Sequence, residues 1–302
     1  MPIKNSLKIF ASKIQMLWTI LLYYVIAGVI VFCLSLFEMV PVYDFFYDNG
    51  FIDHGSELIM SFVINGYSKS LLDESITFIN NFVTVLLQNT NIFTIIVLYV
   101  VLVLGVLVRF LVGMLELPIL KKFQGAMSDN GNYSFGGLFI SVFGKSVLFS
   151  LAKILIKFAA DCLLCFLLYF IAVGMIAANM DLFIPFVLVI VIVTYLAFKY
   201  GISAGWGVAI AIDGEGVFSA FISSAKGFFA NFSKLFALYV IVWVLLFVAN
   251  YIVLRYTFGA GLIITLPISL LIINAINATY YYDLKKYRYY VSGEVVEPVG
   301  RK

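Results

Sequence analysis

The chain has 302 residues, 64% of them apolar and only 12% charged, with a formal net charge of +3. Soluble domains average about 25% charged residues, so this composition excludes an ordinary soluble globule and points to a polytopic helical membrane protein. The weak positive balance gives no argument for nucleic acid, which is not expected as a partner, and Cys33, Cys162 and Cys165 all lie in apolar runs, against a disulfide framework.

Taken in order, residues 1–13 carry Lys4, Lys8 and Lys13 and no acid, and nothing from 14 to 37 is charged. A secretory h-region runs about 7–15 residues before a small-residue cleavage site. This run is longer and lacks that site, so 14–37 is expected as a retained first span. Residues 38–91 form an external acidic insertion with Glu38, Asp44, Asp48, Asp53, Glu57, Asp73 and Glu74 against Lys69 alone. Pro41 and Asp48-Asn49-Gly50 predict turns. Leu72, Ile76, Ile79, Phe82, Val83 and Leu86 predict a helix over 70–87, making a small helical cap.

The second span is expected at 92–114, with Arg109 near its end reaching for the headgroups. A polar loop follows, holding Glu116, Pro118, Lys121, Lys122 and SDNGNYSFGG. Lys145, Lys153 and Lys157 then share one helical sector, which predicts a basic interfacial segment leading into span three at 158–180. Asp181 and Pro185 mark a tight turn, and 182–206 is span four.

Next comes an amphipathic segment. Phe221, Phe228, Phe232 and Leu235 form one helical stripe, and Ser223, Lys226, Asn231 and Lys234 lie opposite. That is the pattern of a helix lying in a membrane surface with its apolar stripe down. Asp213 and Glu215 precede it, at the positive end of the helix dipole. No residue from 235 to 254 is charged. At about 1.5 Å per residue this fifth span matches a hydrocarbon core of roughly 30 Å. Residues 260–279 make span six. The tail, 280–302, is basic, and its Tyr280, Tyr281, Tyr282, Tyr287, Tyr289 and Tyr290 read as an interfacial belt.

Lys145 and Lys153, like Lys226 and Lys234, follow a Phe-Ile-Ser and are spaced alike; SLKIFASKI at 6–14 resembles a shorter copy. Three units are expected, each a basic lead-in followed by a helical hairpin. With the N-terminus inside, every Lys and Arg of the 19 except Lys69 and Arg255 falls on one side. Basic flanks stay cytoplasmic, so both termini are expected in the cytoplasm and the insertion outside. The fold class is all-α: six transmembrane helices as three hairpins, with cytoplasmic amphipathic interfacial helices.

No catalytic, metal or nucleotide motif stands out, and no cofactor is expected. Asp161 lies about one turn inside span three, where a carboxylate costs about 2.5–3.5 kcal/mol unless paired. Lys157, at i−4, is its nearest candidate partner. Together they form a candidate intramembrane polar site, read either as an ion or headgroup site or as an interface-level salt bridge. The Cys162/Cys165 pair reads as packing, and His54 beside Asp53 and Glu57 is too sparse for a metal. Lys121, Lys122, Lys145, Lys153, Lys226 and Lys234 are candidate contacts for lipid headgroups.

A span, then AIDGEGVFSAFISSAKGFFANFSKLF, then a span, with the last span running into NATYYYDLKKYRYY, resembles a broad group of bacterial and archaeal multi-pass proteins. The group includes the YciC-like proteins and the membrane domain fused to some glycerophosphodiester phosphodiesterases. The similarity is one of residue types over 100–290, and the insertion at 38–91 departs from it. It implies a prokaryotic plasma membrane and six helices, and carries over no catalytic residue. The expected function is a non-enzymatic membrane protein that engages lipids, other membrane proteins or itself through its basic interfacial helices. The alternative is a transporter or channel with Asp161 in the pathway.

Overall fold

The computed structural model describes residues 2–128, 134–291 and 294–297. Residues 129–133 of the expected loop, and Arg301 and Lys302, lie outside them. The chain is an all-α multi-pass membrane protein. Six helical stretches are long and apolar enough to cross a bilayer: Met16–Leu36, Thr90–Met127, Phe135–Ala177, Asp181–Ile212, Phe232–Thr257 and Leu262–Lys285. They lie over the six expected spans.

A short helix, α1 (Pro2–Ser12), precedes α2 (Met16–Asp48). The turn expected around Pro41 is absent, because α2 continues through that proline and ends at Asn49-Gly50, where Gly50 has φ +69°. Proline costs a helix one backbone hydrogen bond, and the flanking turns of α2 tolerate the gap. The insertion folds as two helices, α3 (Phe51–Asn65) and α4 (Lys69–Gln88). Ser68 caps α4 by accepting from the Leu71 amide at 3.2 Å. Phe46, Phe51, Phe78 and Phe82 stack between α2, α3 and α4 with ring centroids 5.2–6.4 Å apart.

Span two begins as α5 (Thr90–Leu98), widens into a π-helical stretch over Tyr99–Val108 and closes as α6 (Arg109–Met114). The expected polar loop is instead a helix, α7 (Glu116–Met127), whose Glu116, Leu117, Ile119, Leu120 and Phe123 are buried. Its apolar residues have a core to enter, which outweighs the Lys121-Lys122 pair. Next, α8 (Phe135–Ala177) is a single helix of 43 residues, about 65 Å long at 1.5 Å per residue. It exceeds the hydrocarbon thickness, so its lysine-bearing half is one continuous rod with the span. Then follow α9 (Ile184–Ile202), α10 (Trp206–Ile212), α11 (Val217–Ala230), α12 (Phe232–Thr257) and α13 (Leu262–Lys285). The tail adds a two-stranded hairpin, β1 (Tyr289–Val291) with β2 (Glu294–Val296).

The bundle has two poles. At one, the cap meets the turn between spans three and four: Lys69 pairs with Asp181 at 2.9 Å and Tyr67 donates to the Asp181 carbonyl at 2.9 Å. At the other, α1, α7, α10, the end of α13 and β1 share a core. Trp206 is its centre, fully buried, edge-on to Phe149 at 5.1 Å, with its indole N–H donating to the Val217 carbonyl at 2.7 Å. Ser6 and Thr279 hydroxyls lie 2.6 Å apart and tie α1 to α13. The tightest packing is therefore at the lysine-rich pole.

Two sequence expectations are corrected here. The stripe over 221–235 is turned mostly into the protein: Phe228 and Leu235 are buried and Phe221 packs on Trp206 at 4.8 Å, while Phe232 alone of the four is exposed. Gly201 makes room for this, since a Cβ there would stand 2.4 Å from the Phe228 ring. Nor do the six tail tyrosines form one belt, for Tyr281, Tyr282 and Tyr289 belong to the core while Tyr287 and Tyr290 are exposed.

Candidate functional site

Three spans bring charge together inside the bundle. On α8, Lys157 and Asp161 sit one turn apart; on α9, Tyr195, Lys199 and Ser203 follow at i, i+4 and i+8. The π-helical stretch ends at Val108, and Arg109 opens α6. Gly105, within that stretch, lets α8 close in: a Cβ there would stand 2.8 Å from the Phe158 ring. Arg109 then lies over that ring at 5.2 Å.

The Asp161 carboxylate accepts from all three donors in reach. Arg109 binds Oδ2, while Lys199 and the Tyr195 hydroxyl bind Oδ1. Lys157 is not its partner. The ammonium of Lys157 donates to Ser203 Oγ at 2.8 Å, lies 4.8 Å from the Tyr200 ring, and makes no ion pair among the described residues. The i−4 rule describes pairs on one exposed helix face; here donors from two other spans are closer. Towards the lysine-rich pole, Glu116 pairs with Lys153. Beyond it, Asp213 accepts from the Tyr281 hydroxyl at 2.5 Å, and Lys285 stands 3.8 Å from Asp213 and 4.0 Å from Glu215. The first rungs tie α6, α7, α8 and α9 together and the last joins α13 to the turn after α10, with each carboxylate beside a cation.

The candidate headgroup lysines separate into two groups. Lys153 turns inward onto Glu116, its side chain only 21% exposed. Lys121 donates to the Ala211 carbonyl at 2.8 Å and Lys145 to the Gly214 carbonyl at 3.5 Å, both closing the end of α10. Lys122 is half-buried, and Lys226 and Lys234 are exposed. His54 stands 3.9 Å from Glu57, and no group of three His, Cys, Asp or Glu residues gathers among the described residues. Cys33, Cys162 and Cys165 are free and face outward.

A cavity of about 960 Å³ opens between α2 and α12, bounded by span two and α13. Sequence reasoning missed it, along with Arg109, Lys199 and Glu116 as ion-pair partners and Tyr195 as a hydrogen-bond donor. The Tyr195–Lys199–Ser203 spacing was a readable signal, since it sets three polar groups on one face of an otherwise apolar span. The cavity lining includes Tyr200 but neither Asp161 nor Lys157. Beside it, Trp243 Nε1 and Asn250 Oδ1 are enclosed and make no hydrogen bond among the described residues. Comparison with protein-family models, with curated proteins and with solved structures finds no match to this chain.

Proposed function

We propose that this protein is a non-enzymatic, lipid-engaging component of a prokaryotic plasma membrane, with both termini in the cytoplasm. The observation that carries this reading is the outer face of α11. Phe218, Ile222 and Phe229 are 69%, 54% and 59% exposed there. They form one stripe, with exposed Lys226 beside it and exposed Lys234 at the start of α12. An apolar stripe flanked by lysines suits the headgroup boundary, where the rings enter the acyl region and the ammonium groups meet lipid phosphates. Partner membrane proteins or a second copy would meet the same face.

The transporter reading has less support. A pathway through Asp161 needs that carboxylate open to a polar cavity, whereas three donors close it and the nearby cavity excludes it.

The test is retention of lipid by the purified protein. Native mass spectrometry should find phosphatidylglycerol retained over phosphatidylcholine in the wild type, and that preference reduced in Lys226→Glu/Lys234→Glu. Unchanged lipid preference, together with solute flux into proteoliposomes that Asp161→Asn abolishes, would replace this reading with the transport one.

A further inference from the structure

We propose that the cavity between α2 and α12 is a binding groove for one acyl chain of a bilayer phospholipid. The inference shares with the proposed function only the premise that the chain spans a bilayer.

The first argument is the wall. Ala27 and Gly28 are the only alanine and the only glycine of α2, they are adjacent, and both line the cavity. Small residues in membrane helices usually let two backbones approach, as Gly105 and Gly201 do here. Gly28 does not: a Cβ built on it meets nothing within 4 Å. Glycine in a helix interior lowers stability relative to alanine, and here no protein atom occupies the space it leaves. What sets Gly28 apart from outward-facing glycines such as Gly174 is that its open side faces the cavity and widens it.

The second argument is chemistry. Among the described residues, no charged one lines the cavity. Its serines and the Asn250 amide nitrogen are turned into the helices: Ser35 donates to the Val31 carbonyl at 2.6 Å, Ser269 to the Thr265 carbonyl at 2.8 Å, and Asn250 to the Leu246 carbonyl at 2.7 Å. Apart from the hydroxyls of Tyr24, Tyr43, Tyr99 and Tyr200 and the enclosed Trp243 Nε1 and Asn250 Oδ1, the surface left over is carbon, so water gains few partners there and an apolar occupant is favoured.

The third argument is reach. On α2 the lining runs from Tyr24 to Tyr43, about 28 Å along the helix at 1.5 Å per residue. The part inside the span, Tyr24 to Leu36, is about 18 Å, near the half-core of about 15 Å that the chains of one leaflet fill. Met39, Val40 and Tyr43 carry the lining past Leu36, where the span ends. There α3 touches both α2 and α12 and bridges the two walls. A chain hung from the cap-side leaflet fits this groove, with its headgroup beside Tyr43.

The experiment uses the full-length protein in phosphatidylcholine vesicles containing a phospholipid with a diazirine near the end of one acyl chain. After illumination, labelled peptides should include residues 27–35 of α2 and 243–250 of α12. Gly28→Phe fills that widened side and should abolish the α12 labelling. Gly174→Phe, on the exposed face of α8, should leave it intact. Labelling confined to outward-facing residues of the wild type would overturn the proposal even if Gly28→Phe failed to fold. Unchanged α12 labelling in a folded Gly28→Phe would do the same. Because the lipid is zwitterionic, this outcome is independent of the lysine-dependent preference above, so either reading can fail alone.

Discussion

Three donors from two neighbouring helices close on the Asp161 carboxylate, and this decides what substitutions there do. Asp161→Asn leaves Arg109 and Lys199 charged inside the bundle without their shared counter-charge, and breaking a buried pair costs about 3–5 kcal/mol. The Arg109 side chain is 37% exposed, so the lower end of that range is expected, read as a fall in thermal stability in detergent. Lys157→Met should behave oppositely. That lysine is buried and has no carboxylate partner among the described residues, so an apolar side chain of similar volume should leave stability unchanged or raise it. Equal losses in the two variants would restore the Lys157–Asp161 pair. As a lone carboxylate in an apolar run, Asp161 was legible in the sequence. Its pairing with Arg109, Tyr195 and Lys199 was not, because they arrive from spans 34 to 52 residues away and only packing brings them within reach.

At the scale of elements, the lead-in segments share a sequence pattern and end in three different places. One, α1, stands apart and packs on α13; the second is fused into α8; the third, α11, is wedged between α9 and α10. An amphipathic pattern tells which residues share a face and is silent on whether that face meets lipid or protein. The stripe of α11 found protein because Gly201 and Trp206 offer it a socket. Gly201→Ala should push Phe228 out of that socket and cost about 1–3 kcal/mol, whereas Gly144→Ala, with open space at its Cβ, should be neutral or slightly stabilising. Equal effects in thermal unfolding would show that the socket is not tight. The cap makes a separate prediction. Asp181 accepts a hydrogen bond from Lys69 and lies beside its ammonium, which holds the Lys69 pKa above its usual value. A raised lysine pKa contributes fully below the unfolded value of about 10.4 and fades as pH rises through the folded one. Hydrogen exchange in α4 should thus stay slow at neutral pH and accelerate above about pH 10.5, after correction for the intrinsic rate. In Asp181→Asn that acceleration should disappear; its persistence would mean that the bridge does not hold the cap.

At the scale of the whole molecule, the six spans were legible because uncharged runs of bilayer length have few other uses. The dense core at the lysine-rich pole was not. It is built from α7 and α10, which read as a polar loop and as the end of a span, and their apolar residues are too few to reveal burial before the fold assembles. The central claim is that the cap lies on one side of the membrane while α1 and the tail share the other. Labelling by a membrane-impermeant maleimide in intact cells, with the three native cysteines replaced by alanine, tests it most directly. Ser56→Cys in the cap should label at once, and Lys8→Cys and Arg288→Cys only after permeabilisation. If Lys8→Cys and Arg288→Cys fell on opposite sides, or Ser56→Cys labelled only together with them, the six-span account would be contradicted.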